Sequence, residues 1–218
     1  MKIQSKTITL SYDTASINHL CKVDKRLAKL ISQVGTLSYT PYSDGYSFLV
    51  HEIIEQMLSI KAGAKIYERL KNLCNGNITP DSIMRLSADQ IKNCGTSNTK
   101  VQYIQGLTSA VVSGELQLVN LTYMTDKEVI NELTKLRGIG NWTAKMYLIF
   151  VLNRQNVLPF EDGAFIQVYK WLYKTNDISV SSIEKKCKKW KPYSSIAARY
   201  MYRALDLGYT KEEFHLYK

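Results

Sequence analysis

The sequence predicts a mostly α fold: helices arranged as two lobes with a groove between them, plus a short N-terminal β appendage. Three observations predict it. Apolar residues recur at helical spacing over most of the chain, Ser or Thr stands three residues ahead of Gln or Glu where several helices begin, and strand-like alternation is confined to Lys2–Ser11. Of the 218 residues, 45% are hydrophobic and 11% aromatic, enough apolar material for a core, which excludes global disorder.

The elements follow in order. Ile3, Thr7 and Leu10 mark an uneven strand inside an N-terminal extension over residues 1–14, and residues 15–218 read as one helical domain. Phe48, Ile53, Ile54, Met57 and Ile60 space as one helical segment over about Tyr46–Cys74, which opens a middle lobe over roughly 46–120. Thr79-Pro80 starts a helix, because proline suits the first helical position, where an N–H has no partner anyway. Ser87 with Gln90, Thr125 with Glu128 and Thr210 with Glu213 form capping boxes, while Gly95 and Gly208 stand at helix ends. From Thr125 to Leu136, Val129, Ile130, Leu133 and Leu136 share one helix face. Arg137-Gly138-Ile139-Gly140 then breaks the helix, and Asn141 opens a second with Trp142, Met146, Ile149 and Phe150 in step, so 125–153 reads as a helical hairpin. Asp162 stands where an N-cap belongs, ahead of an apolar helix through Tyr173. The total is about ten helices joined by short turns, with helices from both ends of the chain packing beside the middle lobe.

Charge and composition narrow the function classes. The 29 Lys and Arg against 19 Asp and Glu leave a formal net charge of +10, which points to a polyanionic partner, nucleic acid or an anionic membrane surface. The apolar run at Tyr147–Leu152 is far short of the ~18 residues a membrane span needs. Met1–Asp13 carries no apolar signal core, so the expected location is cytoplasmic, in association with the nucleoid. Cys21, Cys74, Cys94 and Cys187 lack the close spacing of a zinc or iron–sulfur site and read as reduced thiols. His19, His51 and His215 do not pair as metal ligands.

The hairpin is the most informative stretch. Two glycines around one apolar residue allow a tight turn while Ile139 plugs the gap between the helices. The N–H groups of Gly138, Ile139, Gly140 and the first turn after them, including Thr143, then face outward as an anion-binding set. A plain helix–helix turn uses the same glycines. Asp162 is equally double: it suits an N-cap, and it suits a carboxylate that offsets positive charge on a reacting sugar.

A resemblance decides between these readings. Leu133-Thr134-Lys135-Leu136-Arg137-Gly138-Ile139-Gly140-Asn141-Trp142-Thr143-Ala144, followed by Leu158-Pro159-Phe160-Glu161-Asp162-Gly163, resembles the helix-hairpin-helix and aspartate loop of the base-excision DNA glycosylases, specifically the 3-methyladenine DNA glycosylase II family. Ile53–Ala62, Leu86–Leu116 with Cys94-Gly95, Lys100 and Gly106-Leu107, and Trp190-Lys191-Pro192-Tyr193-Ser194 match further blocks of that family in order, from about Asp24 to Leu207. The larger members' extra N-terminal β domain is expected to be missing or vestigial.

The resemblance implies a helix-hairpin-helix DNA glycosylase fold and a monofunctional enzyme of base excision repair. Such an enzyme flips an alkylated purine such as 3-methyladenine out of double-stranded DNA and hydrolyses its N-glycosidic bond, leaving an abasic site. Asp162 is the implied catalytic carboxylate, with Glu161 a charge flanking the site. Where the bifunctional lyases carry a Schiff-base lysine, this chain has Trp142. Trp142 and Tyr202 are the implied base-pocket aromatics, with Tyr147, Phe165 and Tyr169 as weaker candidates. Gln56 and Met57 correspond to residues that fill the gap left by the extruded base, although Met57 at helical spacing also suits plain core packing beside Ile53 and Ile54. Gly138, Ile139, Gly140, Thr143, Lys145 and Lys191 are the expected DNA contacts. Lys185, Lys186, Lys188 and Lys189, interleaved with Trp190 and Tyr193, either extend them or form a solvated helix end. The carbonyls of Thr134, Leu136 and Ile139 are expected to hold a monovalent cation, sodium or potassium; no catalytic cofactor is implied. A monomer is expected. The competing readings are the same scaffold acting on uracil or an oxidised purine, and a helix-hairpin-helix DNA-binding protein without catalysis.

Overall fold

Local signals start and stop most of the helices. The structure, a computed structural model, describes residues 6–217, so Lys2 and Ile3 of the expected strand lie outside the described residues. In chain order the elements are β1 (Ile8–Leu10), α1 (Ala15–Val23), α2 (Lys25–Val34), β2 (Leu37–Tyr39), α3 (Gly45–Glu55), α4 (Ile60–Leu73), α5 (Pro80–Met84) and α6 (Ala88–Asn93). They continue with α7 (Asn98–Val112), α8 (Asp126–Leu133), α9 (Asn141–Phe150), α10 (Gly163–Tyr173), α11 (Val180–Cys187) and α12 (Ser194–Asp206).

The capping boxes at Ser87 and Thr125 form as expected, and Thr79 with Ser82 makes another around Pro80. The one expected at Thr210 does not. After Gly208, at φ +77, the chain makes a 3-10 turn over Tyr209–Lys211 that has no side-chain cap, and the Glu213 carboxylate bonds Lys174 Nζ at 2.5 Å. The expected single helix over Tyr46–Cys74 is also two helices: α3 stops at Glu55, Met57 takes φ +58, and Ser59 Oγ accepts the Ala62 N–H at 3.3 Å to start α4.

Contacts divide the chain into two units, one of Tyr42–Leu152 and one of the described parts of Ser5–Pro41 and Asn153–Lys218. In the first, α3 packs against α4, α7 and α9, with Leu49, Ile53, Ile104, Leu107, Leu133 and Leu148 fully buried. Gly45 allows the close approach of α3 to Tyr147 of α9, since a Cβ there would lie 2.2 Å from the phenol oxygen. In the second, α2, α10 and α12 pack together, and Ala197, Ala198 and Ala204 give α12 a smooth buried face. The sheet is β1 paired antiparallel with β2, Ile8 opposite Tyr39 and Leu10 opposite Leu37. The expected appendage therefore has a second strand contributed from beyond α2, too short for alternation to reveal.

One buried acid ties the second unit together. Asp24, 2% exposed on its side chain, accepts the amide N–H groups of Arg26 and Leu27, the Tyr173 hydroxyl and Trp190 Nε1, and pairs with Lys189 Nζ at 3.0 Å. Burial alone would raise its pKa, but the bonds from Tyr173, Trp190, Lys189 and Leu27 outweigh it and hold the carboxyl below the ordinary value. Because the folded pKa is depressed, the stabilisation is present above the unfolded value of about 3.9 and is lost as pH falls through the folded one. Asp24→Ala is expected to cost about 3–5 kcal/mol in urea unfolding at pH 7, and the gap from wild type to narrow as pH drops below about 4.

Candidate functional site

The helical hairpin is built by α8 and α9. Thr125 opens α8, which ends at Leu133, three residues short of the expected Leu136; the Thr134 hydroxyl then donates back to the Ile130 carbonyl at 2.7 Å. The Ile139 N–H donates to the Leu136 carbonyl at 3.1 Å to close the turn. Gly138 and Gly140 serve different needs. Gly138 sits at φ +88, and a Cβ there would lie 2.3 Å from the Tyr103 ring, whereas Gly140 has an ordinary extended backbone, an open surrounding, and serves as the N-cap of α9. Ile139 is buried, as a plug should be. Thr143, expected among the DNA contacts, is only 1% exposed, so its side chain belongs to the interior. Trp142 and Lys145 are half-buried on α9.

The turn between α3 and α4 lies against this hairpin. Gln56 Nε2 donates to the Gly138 carbonyl at 2.7 Å. Lys100 Nζ, from the first turn of α7, donates to the Ile54 carbonyl at 2.7 Å and the Gln56 carbonyl at 2.6 Å. Met57 is fully exposed, and Leu58 and Ile60 beside it are exposed too, which overturns the core-packing alternative for Met57. Gln56 is a tie between turn and hairpin. Lys100 was legible in the sequence only as part of a family block; nothing local marked it as a helix cap. One turn back on α3, His51 lies between Glu52 (Nδ1 to Oε1, 3.3 Å) and Glu55 (Nε2 to Oε1, 3.4 Å), edge-on to the Tyr67 ring. The bond to Glu52 raises its pKa against the effect of burial, and the charges of Glu55 and Glu52 add to the rise.

In the other unit, Asp162 is the N-cap of α10. Its Oδ1 accepts the Phe165 N–H at 2.7 Å, its own N–H donates to the Pro159 carbonyl at 3.0 Å, and the residue is 8% exposed. Glu161 is exposed and Tyr202, on α12, is half-buried. The weaker pocket candidates fall away: Tyr147, Phe165 and Tyr169 are all core, as is Trp190. Lys185, Lys188 and Lys191 are exposed, but the lysine cluster is not uniform, since Lys189 is paired with Asp24 and Lys186 lies over the Tyr173 ring at 5.4 Å. Among the described residues no group of His, Cys, Asp and Glu is placed to hold a metal ion, and no helix is long and apolar enough to cross a membrane.

A glycine-turned helical hairpin followed by a helix capped with aspartate defines a helix-hairpin-helix protein. The family model of the HhH-GPD superfamily of base excision DNA repair proteins matches residues 50–192, and the chain belongs to that family. The protein named DNA-3-methyladenine glycosylase 1 of Schizosaccharomyces pombe is 29% identical, over 95% of this chain and 94% of its own length. The crystal structure of a DNA-3-methyladenine glycosidase from Bacillus halodurans, 31% identical, superposes with a TM-score of 0.84 over 96% of this chain and 97% of that one. The S. pombe 3-methyladenine DNA glycosylase solved in complex with abasic DNA is 28% identical, with a TM-score of 0.79 over 88% and 97% of the two chains.

The two glycines separate by substitution. Gly138→Ala meets both a left-handed backbone and the Tyr103 ring, and is expected to cost about 2–4 kcal/mol in urea unfolding. Gly140→Ala is expected to cost about 1 kcal/mol or less. His51 gives a pH signature. Its raised folded pKa means that its stabilisation is complete below the unfolded value of about 6.5 and disappears as pH rises through the folded value. His51→Gln is therefore expected to lose about 0.5–1 kcal/mol at pH 6 and nothing measurable at pH 9.

Proposed function

We propose that the chain is a monofunctional DNA glycosylase that turns an alkylated purine such as 3-methyladenine out of double-stranded DNA and hydrolyses its N-glycosidic bond, leaving an abasic site for base excision repair. The observation that carries this reading is Met57, an apolar side chain fully in solvent on a left-handed backbone. A lone exposed apolar residue is ordinary, but Met57 stands with exposed Leu58 and Ile60 on one turn, and a duplex from which a base has left offers a gap that such an apolar wedge fills. The relatives' names and near-complete overlap in length support the same conclusion.

In this reading the N–H groups of Gly138 and Gly140, with Lys145 and Lys191, take the DNA backbone, while the Ile139 N–H, expected among them, closes the turn on the Leu136 carbonyl. Trp142 and Tyr202 stack on the extruded base, to which a cationic alkylpurine is drawn by their π faces. Asp162 offsets the positive charge that grows on the sugar as the C1′–N bond breaks. The bond's electron pair leaves with the base, water adds its oxygen to C1′, and the water's proton passes to solvent. A cationic purine leaves as a neutral base, so little acid assistance is needed. Trp142 in place of a nucleophilic lysine makes the reaction hydrolysis without lyase chemistry. The carbonyls of Thr134, Leu136 and Ile139 would be the ones to hold a sodium or potassium ion: all are neutral oxygen donors in the hairpin turn, and Thr134 stands at the end of α8, where the dipole is negative. When bound, the ion would add positive charge beside a DNA phosphate. The protein acts as a monomer.

The test is release of free base from a methylated duplex. Wild type is expected to release alkylated purine with no adduct trapped by borohydride, and Asp162→Asn to slow turnover by about 10²-fold or more while still binding duplex. Wild type that binds duplex but releases no base makes the chain a binding module. Release of uracil or an oxidised purine instead moves the substrate, and a trapped adduct overturns monofunctional chemistry. Asp162→Asn turning over within a few-fold of wild type removes the aspartate from the reaction.

A further inference from the structure

We propose that Lys100 is a positioning residue for base extrusion: by clamping the end of α3 it holds Met57 outward, ready to enter the duplex. This rests on the glycosylase reading above. Lys100, on α7, is not among the residues assigned to sugar, base or phosphate, and its ammonium meets the Ile54 and Gln56 carbonyls at 2.7 and 2.6 Å.

The last carbonyls of a helix lack partners, and the residue that turns the chain away is commonly a glycine, because it must adopt a left-handed backbone. Here that position is Met57, at φ +58. A long apolar residue replaces the one best suited to the turn, at a cost of about 1–2 kcal/mol. An offset is required, and one ammonium making two charge-assisted bonds to helix-end carbonyls supplies it. Gln56 has left the helix, at φ −48 and ψ 128, so its carbonyl turns off the helix axis and shares the ammonium with the Ile54 carbonyl. That departure also aims Gln56 Nε2 at the Gly138 carbonyl, 2.7 Å away, and puts Met57 in solvent. Without the clamp, α3 can continue through Gln56 or fray, and either change withdraws Met57 from its presented position.

A purely structural cap and a positioning clamp differ in what they slow. Extrusion is hardest for a stacked, paired base and easiest for one already unpaired. The experiment therefore measures single-turnover release of the same alkylated purine from a paired duplex and from a bulge, and takes the ratio of rates. Lys100→Met is expected to lower that ratio about tenfold, with duplex affinity within a few-fold of wild type. Lys100→Arg, which keeps a cationic donor, is expected to restore the ratio to within about threefold. Met57→Gly is expected to lower the ratio on its own and to add little to Lys100→Met, because both remove the same wedge. If Lys100→Met does not fold, Lys100→Gln carries the measurement, with a neutral donor in place of the charge. An unchanged ratio in either folded neutral variant, or equal losses on both substrates, overturns the positioning role. Wild type releasing base from neither substrate instead sinks the glycosylase reading beneath it, a result distinct from a wild type that turns over both while the variants leave the ratio unmoved.

Discussion

One ammonium group clamps the end of α3, and the surface of the Tyr42–Leu152 unit proposed to meet DNA follows from it. Lys100 bonds the Ile54 and Gln56 carbonyls at the point where the chain leaves the helix, Gln56 standing at φ −48 and ψ 128. Gln56 can then reach the Gly138 carbonyl, and Met57 is left to make the reversal on a left-handed backbone before Ser59 starts α4. Gly138 in turn is held from two sides, by Gln56 at its carbonyl and by the Tyr103 ring against its Cα. The Met57 turn and the hairpin are thus one assembly, and a change in either is transmitted to the other through a single hydrogen bond. His51, bridging Glu52 and Glu55 one turn earlier, stiffens the same helix end, where the Glu55 side chain lies against Gly63 of α4.

The surplus of ten positive charges is not spread evenly in function. Lys189 is spent on Asp24, deep in the other unit, Lys174 on Glu213, and Lys135 on Glu132. The Asp24 carboxylate is structural in a strong sense: it is buried and also collects two amides, a phenol and an indole, whereas Lys189 stays exposed to solvent. The exposed pairs contribute little to stability but reduce the cation count that a polyanion would meet. Affinity for DNA in the proposed function therefore rests on a subset of the lysines, with Lys145 and Lys191 the members singled out by their place in the chain.

Local chemistry was legible in the sequence, and long-range chemistry was not. The boxes at Ser87 and Thr125 form because donor and acceptor lie three residues apart, so the sequence contains the whole interaction. The same pattern at Thr210 fails because Glu213 finds Lys174, 39 residues away. Met57 read as part of a helix because its spacing from Ile53 and Ile60 is helical; the break comes from Lys100, 46 residues from Ile54, and from Gly138, 82 residues from Gln56. The aromatics were opaque for another reason. Residue type alone does not separate a pocket wall from core, and burial assigns Tyr147, Phe165, Tyr169 and Trp190 to core while leaving Trp142 and Tyr202 half-buried. Within the hairpin the sequence was a good guide to the glycines and the plug, but not to the end of α8 at Leu133 or to Thr143, whose side chain turns inward.

Asp162 is where the two readings of one residue meet. A capping bond looks at first like a distraction for a carboxylate proposed to act on a sugar, because it occupies Oδ1. Electrostatic catalysis, however, depends on a charge that is already in place when the reaction begins, so that no free energy is spent on orienting it. A loop carboxylate with no partner samples many orientations. Asp162 does not, because the Phe165 N–H fixes its side chain and the Pro159 carbonyl holds its own N–H. The cap is then part of the preparation of the site. Asparagine caps a helix as well as aspartate does, so structure and charge separate cleanly at this position. The helix requires an oxygen at residue 162, and the chemistry proposed for it requires an anion.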